Sequence, residues 1–195
     1  MAVDRERVAA AVRDILEAIG EDPDRPGLKA TPQRVADAYA EFFAGIGKDA
    51  AEPLAHTISV SRGPAPGTLP SGAVVLRGIR FRSVCEHHLL PFAGRAHIAY
   101  LPGEQVVGLG ALPKVVDVLA ARPQVQERLG EQIADTIAAA LDARGVVVVL
   151  DASHECLTMR GDRQPDASTV TIAARGELAE PAARAEIIAV VGGAA

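Results

Sequence analysis

The 195-residue chain has no tryptophan, two cysteines, two methionines, four phenylalanines and two tyrosines. Its core must therefore be built from small aliphatic side chains with a few Phe and Tyr, and at most one disulfide can form. Apolar residues make up 49% of the chain, the ordinary share for a globular domain. No apolar run approaches the eighteen or so residues of a membrane-spanning helix, and the opening Met1-Ala2-Val3-Asp4-Arg5-Glu6-Arg7 turns amphipathic at once, without the apolar centre of a signal peptide. There is no run of five basic residues, and the formal net charge is −5. General nucleic-acid binding is thus excluded, and an anionic ligand must be met by a few local cations. The expected location is the cytoplasm, where thiols stay reduced.

The length suits one domain carrying a helical extension; the expected division is an extension over 1–48 and a domain over 49–195. Val8, Val12, Ile15, Leu16 and Ile19 recur at helical spacing, and Gly20 stops the pattern. After the turn-rich Asp22–Gly27, Thr31 reads as an N-cap with Pro32 at the first position of a helix reaching about Ala44. The segment 49–71 reads as a proline-containing loop with a short strand at 56–60. Alternation predicts strands over 74–84 and 94–100, the second turning at Pro102-Gly103. Helical spacing returns over 112–121 and 125–143, with a break at Pro123. Gly145 reads as the stop of the second helix, Val146–Leu150 as a buried strand, 169–174 as a last strand and 181–191 as a closing helix, with 192–195 fraying. His56 and His97 read as structural. This order is α+β with an antiparallel sheet.

The stretch that carries chemistry is Cys85-Glu86-His87-His88, joined some seventy positions later by His154-Glu155-Cys156. A catalytic zinc takes three Cys/His-type ligands and leaves a fourth position for water, and Cys85, His88 and Cys156 supply such a set. His87 and His154 remain, each beside a proposed ligand and each able to exchange protons near neutral pH. The strand opening at Val146 delivers His154 and Cys156, and residues two apart on a strand share one face, so both point into one pocket while Glu155 faces away. The two cysteines also admit a disulfide or a pair of inert buried thiols; reduced thiols favour the metal.

With its flanks, Ser83-Val84-Cys85-Glu86-His87-His88-Leu89-Leu90-Pro91-Phe92-Ala93-Gly94 resembles the signature of the GTP cyclohydrolase I family, zinc enzymes at the entry to pteridine biosynthesis. Thr31-Pro32-Gln33-Arg34-Val35-Ala36, Ala99-Tyr100-Leu101-Pro102, Arg122-Pro123-Gln124-Val125-Gln126-Glu127-Arg128-Leu129 and Ala152-Ser153-His154-Glu155-Cys156-Leu157-Thr158-Met159-Arg160-Gly161 are similar to the same family. The match is collinear over roughly residues 20 to 190. The resemblance implies a tunnelling fold in which subunits pool their sheets into a ring and two pentameric rings stack as a decamer. It also implies zinc on Cys85, His88 and Cys156, an acid–base pair in His87 and His154, guanine held by Gln126 and Glu127, and phosphates met by Arg160, Arg34 and Lys114. The implied reaction is hydrolytic opening of a guanine nucleotide at C8 with formate release, giving 7,8-dihydroneopterin triphosphate from GTP.

The chain departs from the pattern at the phosphate end. Where family members usually read Gly-Leu-Ser-Lys with a basic residue shortly after, it has Gly108-Leu109-Gly110-Ala111-Leu112-Pro113-Lys114, and Asp37 stands where some carry lysine. Each charge-assisted hydrogen bond removed costs roughly 1.5–3 kcal/mol, although backbone N–H groups at a helix start near Ala111 can still meet an anion. Two other readings follow: the same zinc chemistry on a less phosphorylated or modified guanine compound, and a non-catalytic ring protein that binds or regulates. Retention of His87, His154 and all three proposed ligands argues against the latter.

Overall fold

In the computed structural model, which describes residues 3–59, 72–161 and 163–192, the apolar periodicities of the N-terminal segment become α1 (Arg5–Ala18) and α2 (Thr31–Phe42), which pack on one another. Asp4 caps α1 through its carboxylate, which accepts from the Arg7 N–H. The cap of α2 differs from expectation. Ala30 occupies the N-cap, Thr31 and Pro32 are already helical, and no side chain caps the end. Proline is tolerated because the first-turn N–H groups have no intrahelical partner in any case.

A single turn at Glu52–Leu54 leads to β1 (Thr57–Ser59); Val60 of the anticipated strand falls outside the described residues. Next come β2 (Val74–Cys85), β3 (Pro91–Leu101) and the short β4 (Gln105–Val107), which pairs with β1. α3 (Ala111–Ala120), the two-residue β5 (Pro123–Gln124) and α4 (Gln126–Leu141) follow. β6 (Gly145–His154), a helical turn α5 (Glu155–Thr158), β7 (Thr169–Gly176) and α6 (Pro181–Gly192) complete the described chain; 193–195 of the fraying tail lie outside it.

The main sheet has the order β5-β2-β3-β6-β7 and is antiparallel except where β5 joins β2 in parallel at Val84 and Cys85. Its inner face alternates as the sequence predicts: Ile79, Phe81, Ile98, Tyr100, Val148 and Leu150 bury against Leu112 and Val116 of α3 and Leu129, Ile133 and Ile137 of α4. A smaller core on the other face sets Ala99, Leu101, Val147 and Val149 against Leu178 and Ile187, the latter on α6. Among the described residues no helix is long and apolar enough to cross a membrane.

Three details correct the sequence reading. Gly145 does not stop a helix: α4 ends at Leu141 with Asp142 in the left-handed region, and Gly145 opens β6, where a Cβ would stand 2.7 Å from the Leu178 backbone nitrogen. β6 continues beyond Leu150 to His154 and then turns helical, so Cys156 is not on a strand and the shared-face argument for it does not hold. β4 and β5 were not anticipated, because segments of two or three residues carry no readable period. His97 lies half-buried on β3; burial and the nearby Arg77 push its pKa below the ordinary value while Asp151 opposes them.

The long ladder of the sheet runs from Phe92 opposite His154 to Leu101 opposite Gly145. Gly94 lets β3 approach β6, since a Cβ there would sit 2.0 Å from the Asp151 carbonyl oxygen and 2.6 Å from the Ala152 Cα. Backbone on both sides cannot yield as a flexible side chain would. Gly94→Ala is therefore expected to cost about 3 kcal/mol or more, the upper end of overpacking effects, read as a lowered denaturant midpoint; an unchanged midpoint contradicts this spacing.

Candidate metal centre

β2 and β3 are joined by the loop Glu86–Leu90. Cys85 donates its N–H to the Leu90 carbonyl at 2.8 Å, Leu89 donates to the Cys85 carbonyl at 2.8 Å, and Leu89 takes φ 53°, a conformation uncommon for a leucine. The chain thus reverses tightly over Cys85. Glu86 is held from below: its N–H donates to the Gln124 carbonyl at 3.0 Å, and its carboxylate accepts from both terminal nitrogens of Arg128. That guanidinium, by hydrogen bond first and by charge second, keeps the Glu86 carboxyl below the usual carboxylate range.

The second cluster arrives along β6. His154 stands opposite Phe92 in the ladder and stacks on its ring at 4.6 Å and 25°. Burial pushes the His154 imidazole below its ordinary pKa, with the Glu127 carboxylate pulling the other way, and its Nδ1 is buried without a partner among the described residues. The turn of α5 then swings Cys156 toward the loop. The ligand atoms of Cys85, His88 and Cys156 all lie within 4.8 Å of one another. His87 is on the same loop, its ring edge-on to that of His88 at 6.2 Å.

The donor set fits a divalent cation of zinc type. Two thiols and an imidazole are what such an ion takes, and one side of the trio is open because His88 is exposed. Both cysteines are free, so the disulfide left open by the sequence is not formed. Burial, followed by the nearby Cys85, pushes the Cys156 thiol up, and Arg160 opposes this slightly. A bound cation reverses that preference by stabilising thiolate.

The other anticipated residues divide into two groups. Gln126 is 2% exposed; its Nε2 donates to the Leu150 and Thr169 carbonyls at 3.1 and 2.8 Å and approaches the Thr171 hydroxyl at 3.2 Å, whereas its Oε1 is buried with no partner among the described residues. Glu127 follows it, exposed and close enough to act on His154. By contrast Arg34 on α2 and Lys114 on α3 are exposed and make no ion pair with a described residue, and Arg160 acts on the cluster through its field on Cys156. Asp37 faces α1: it lies 3.5 Å from Arg5 and accepts from Gln33 at 3.2 Å. A Cβ at Gly110 would meet nothing within 4 Å. The sequence reading gave no role to Arg128 or Phe92. The signal for Arg128 was a cation in the first turn of a helix, where the macrodipole disfavours one.

The model of the GTP cyclohydrolase I family matches residues 8–192 of this chain. The chain belongs to the GTP cyclohydrolase I family. It is 65% identical over 189 residues to the GTP cyclohydrolase 1 of Leifsonia xyli subsp. xyli, a match covering 97% of this chain and 96% of that protein. It is 50% identical over 194 residues to that of Rhodopirellula baltica, with 99% and 81% covered, and 48% identical over 188 residues to that of Bacillus subtilis, with 95% of each covered. The tunnelling fold implied by the sequence motifs goes with this membership: an antiparallel sheet backed by two helices, with two further helices before it.

Cys156→Ala is expected to abolish stoichiometric zinc in the purified protein, measured by metal analysis. Retention of one zinc per chain refutes its place in the ligand set.

Proposed function

We propose that the chain is a zinc-dependent GTP cyclohydrolase that opens the guanine imidazole ring at C8 and releases formate. One observation carries this reading: Cys85, His88 and Cys156 converge within 4.8 Å in a chain of this family. They would hold the zinc, with His87 and His154 beside them. When bound, zinc lowers the pKa of water toward neutrality and so supplies a nucleophile at physiological pH.

The protein's own groups do the rest. Glu127 accepts from the guanine ring N–H and exocyclic amine. The amide of Gln126, its Nε2 committed to two backbone carbonyls, supports the guanine by fixing the first turn of α4 and with it Glu127. His154, kept neutral at rest by burial, takes up a proton and passes it to the imidazole nitrogen as C8 becomes tetrahedral. His87 then serves the proton transfers at the ribose that precede reclosure to 7,8-dihydroneopterin triphosphate. Arg34, Lys114 and Arg160 meet the phosphates. Relatives named GTP cyclohydrolase 1 at up to 65% identity support GTP over a less phosphorylated compound, despite Gly110 and Ala111.

The same reading includes a ring-shaped homo-oligomer, a decamer of two pentamers, working in the cytoplasm. Two features support it. Among the described residues, β7 has no strand on its outer edge, with Val170 and Ile172 exposed, and β2 is paired on its outer side only at Val84 and Cys85. A cleft of about 670 Å³ borders that open edge between α2 and α3. Two complementary free edges per chain form a head-to-tail contact, which closes into a ring.

Formate release by the zinc-loaded protein is the direct test, with GTP, GDP, GMP and guanosine compared and the product identified by mass. Formate with a dihydroneopterin product from GTP is expected; silence with GTP and turnover of another compound overturns the substrate. His154→Ala should keep zinc and lose formate release, and normal turnover by that variant removes His154 from the chemistry. Gly110→Ser with Ala111→Lys should lower KM for GTP by about tenfold or more, the effect of one or two charge-assisted hydrogen bonds; an unchanged KM refutes the account of the phosphate end.

A further inference from the structure

Among the described residues, the Glu86–Leu90 loop is closed by two backbone bonds, both between Cys85 and the residues at its far end. They close the turn but leave its tilt toward Cys156 unspecified, since Cys156 arrives on a different part of the chain. Two further ties come from outside the loop: the Glu86 N–H donates to the Gln124 carbonyl of β5 at 3.0 Å, and Arg128 of α4 holds the Glu86 side chain. Arg128 donates Nη1 to one Glu86 oxygen at 3.3 Å and Nη2 to the other, while its Nε donates to the Gln124 Oε1 at 3.2 Å and Nη2 also approaches the Pro123 carbonyl at 3.3 Å. Gln124 is itself immobile: it is 1% exposed, and its Nε2 donates to the Leu119 carbonyl and the Gln132 Oε1, each at 2.9 Å. The fork therefore stands on a buried base.

We propose that Arg128 is a positioning residue, whose two-pronged grip on Glu86 fixes where the loop carries His87 and His88 relative to Cys156 and His154. Three observations bear on it. The bidentate guanidinium–carboxylate contact specifies an orientation, which a point charge does not. The residue stands in the first turn of α4, where the helix dipole opposes a cation, so helix stability gives no reason for it. The same turn holds Gln126, whose amide ties α4 to the Leu150 and Thr169 carbonyls of β6 and β7. One helical turn thus grips both the loop that bears His88 and the strand that ends in His154.

The inference rests on the metal reading of the cluster, and its main test needs no substrate. Zinc affinity is measured by chelator competition on the purified protein, together with the melting temperature of the zinc-free form. Arg128→Ala and Glu86→Ala are each expected to weaken zinc binding about 10–100-fold, the usual effect of losing a partner that orients a metal ligand, with melting nearly unchanged because an exposed ion pair contributes little to stability. The double variant should bind zinc no more weakly than the worse single one. Glu86→Ala leaves the Arg128 bonds to Gln124 and Pro123 intact, so equal losses place the effect in the clamp. In zinc-saturated protein kcat should fall with KM unchanged. Arg128→Lys, which keeps the charge and loses the fork, should recover only part of the affinity. Wild-type affinity in either alanine variant, or additive losses in the double, overturns the proposal; where an alanine variant does not fold, Arg128→Lys and Glu86→Gln decide it by the same readout.

Discussion

The register between β3 and β6 is the constraint on which the site depends. Phe92 lies opposite His154 at one end of that ladder and Leu101 opposite Gly145 at the other. β3 also pairs with β2, so the end of β2 that bears Cys85 and the end of β6 that bears His154 flank the same strand. Two clusters far apart in sequence therefore become neighbours without a long loop between them. A one-residue slip would send His154 to the opposite face of the sheet, away from Phe92. The close approach at Gly94 acts against that slip, since any residue with a Cβ in its place would meet the Asp151 carbonyl oxygen.

The placement of the cluster at the rim of the core explains its electrostatics. Cys85 is part of the main core with Phe81 and Phe92, while His88 is open to solvent. Burial favours the neutral form of every group it touches, and so it raises the Cys156 thiol and lowers the His154 imidazole. For the thiol a cation reverses the preference; for the imidazole the neutral form is already the one that can take up a proton. The same desolvation thus works against the thiolate that a cation needs and for the neutral imidazole that can take up a proton.

Much of this was legible in the sequence, for physical reasons that can be separated. Two members of the Cys–His–Cys cluster were legible because Cys85 and His88 are local, and no fold is needed to see them together. The long strands and helices were legible because their apolar residues recur at 2 or 3.6 residues. The route by which Cys156 arrives was not: Glu155–Thr158 is one helical turn, too short for a period, and only the Met159 N–H to Glu155 carbonyl bond at 3.0 Å reveals that the strand has ended. Gly145 misled because glycine serves equally as a helix stop and as a point of close approach, and here the contact that decides, with Leu178, comes from more than thirty residues away. Arg128 and Glu86 were visible as residues but not as a pair, since a parallel two-residue strand is what brings them together.

The two ends of the proposed substrate site differ in how they are built, and that difference bears on where the chain departs from its family. The guanine end is internal: Gln126 is anchored by hydrogen bonds to two strands, and Glu127 shares its helical turn. A substitution there would strand buried backbone carbonyls, a penalty of about 1–3 kcal/mol each. The phosphate end rests on exposed cations carried by separate elements, Arg34 on α2, Lys114 on α3 and Arg160 after α5. Loss of one such cation leaves no buried group unpaired, and Gly110 faces open space rather than a packed neighbour. The fold therefore constrains the proposed purine end strictly and the proposed phosphate end loosely, and the departures read in the sequence at Gly110 and Ala111 lie where the chain's own stability does not resist a change.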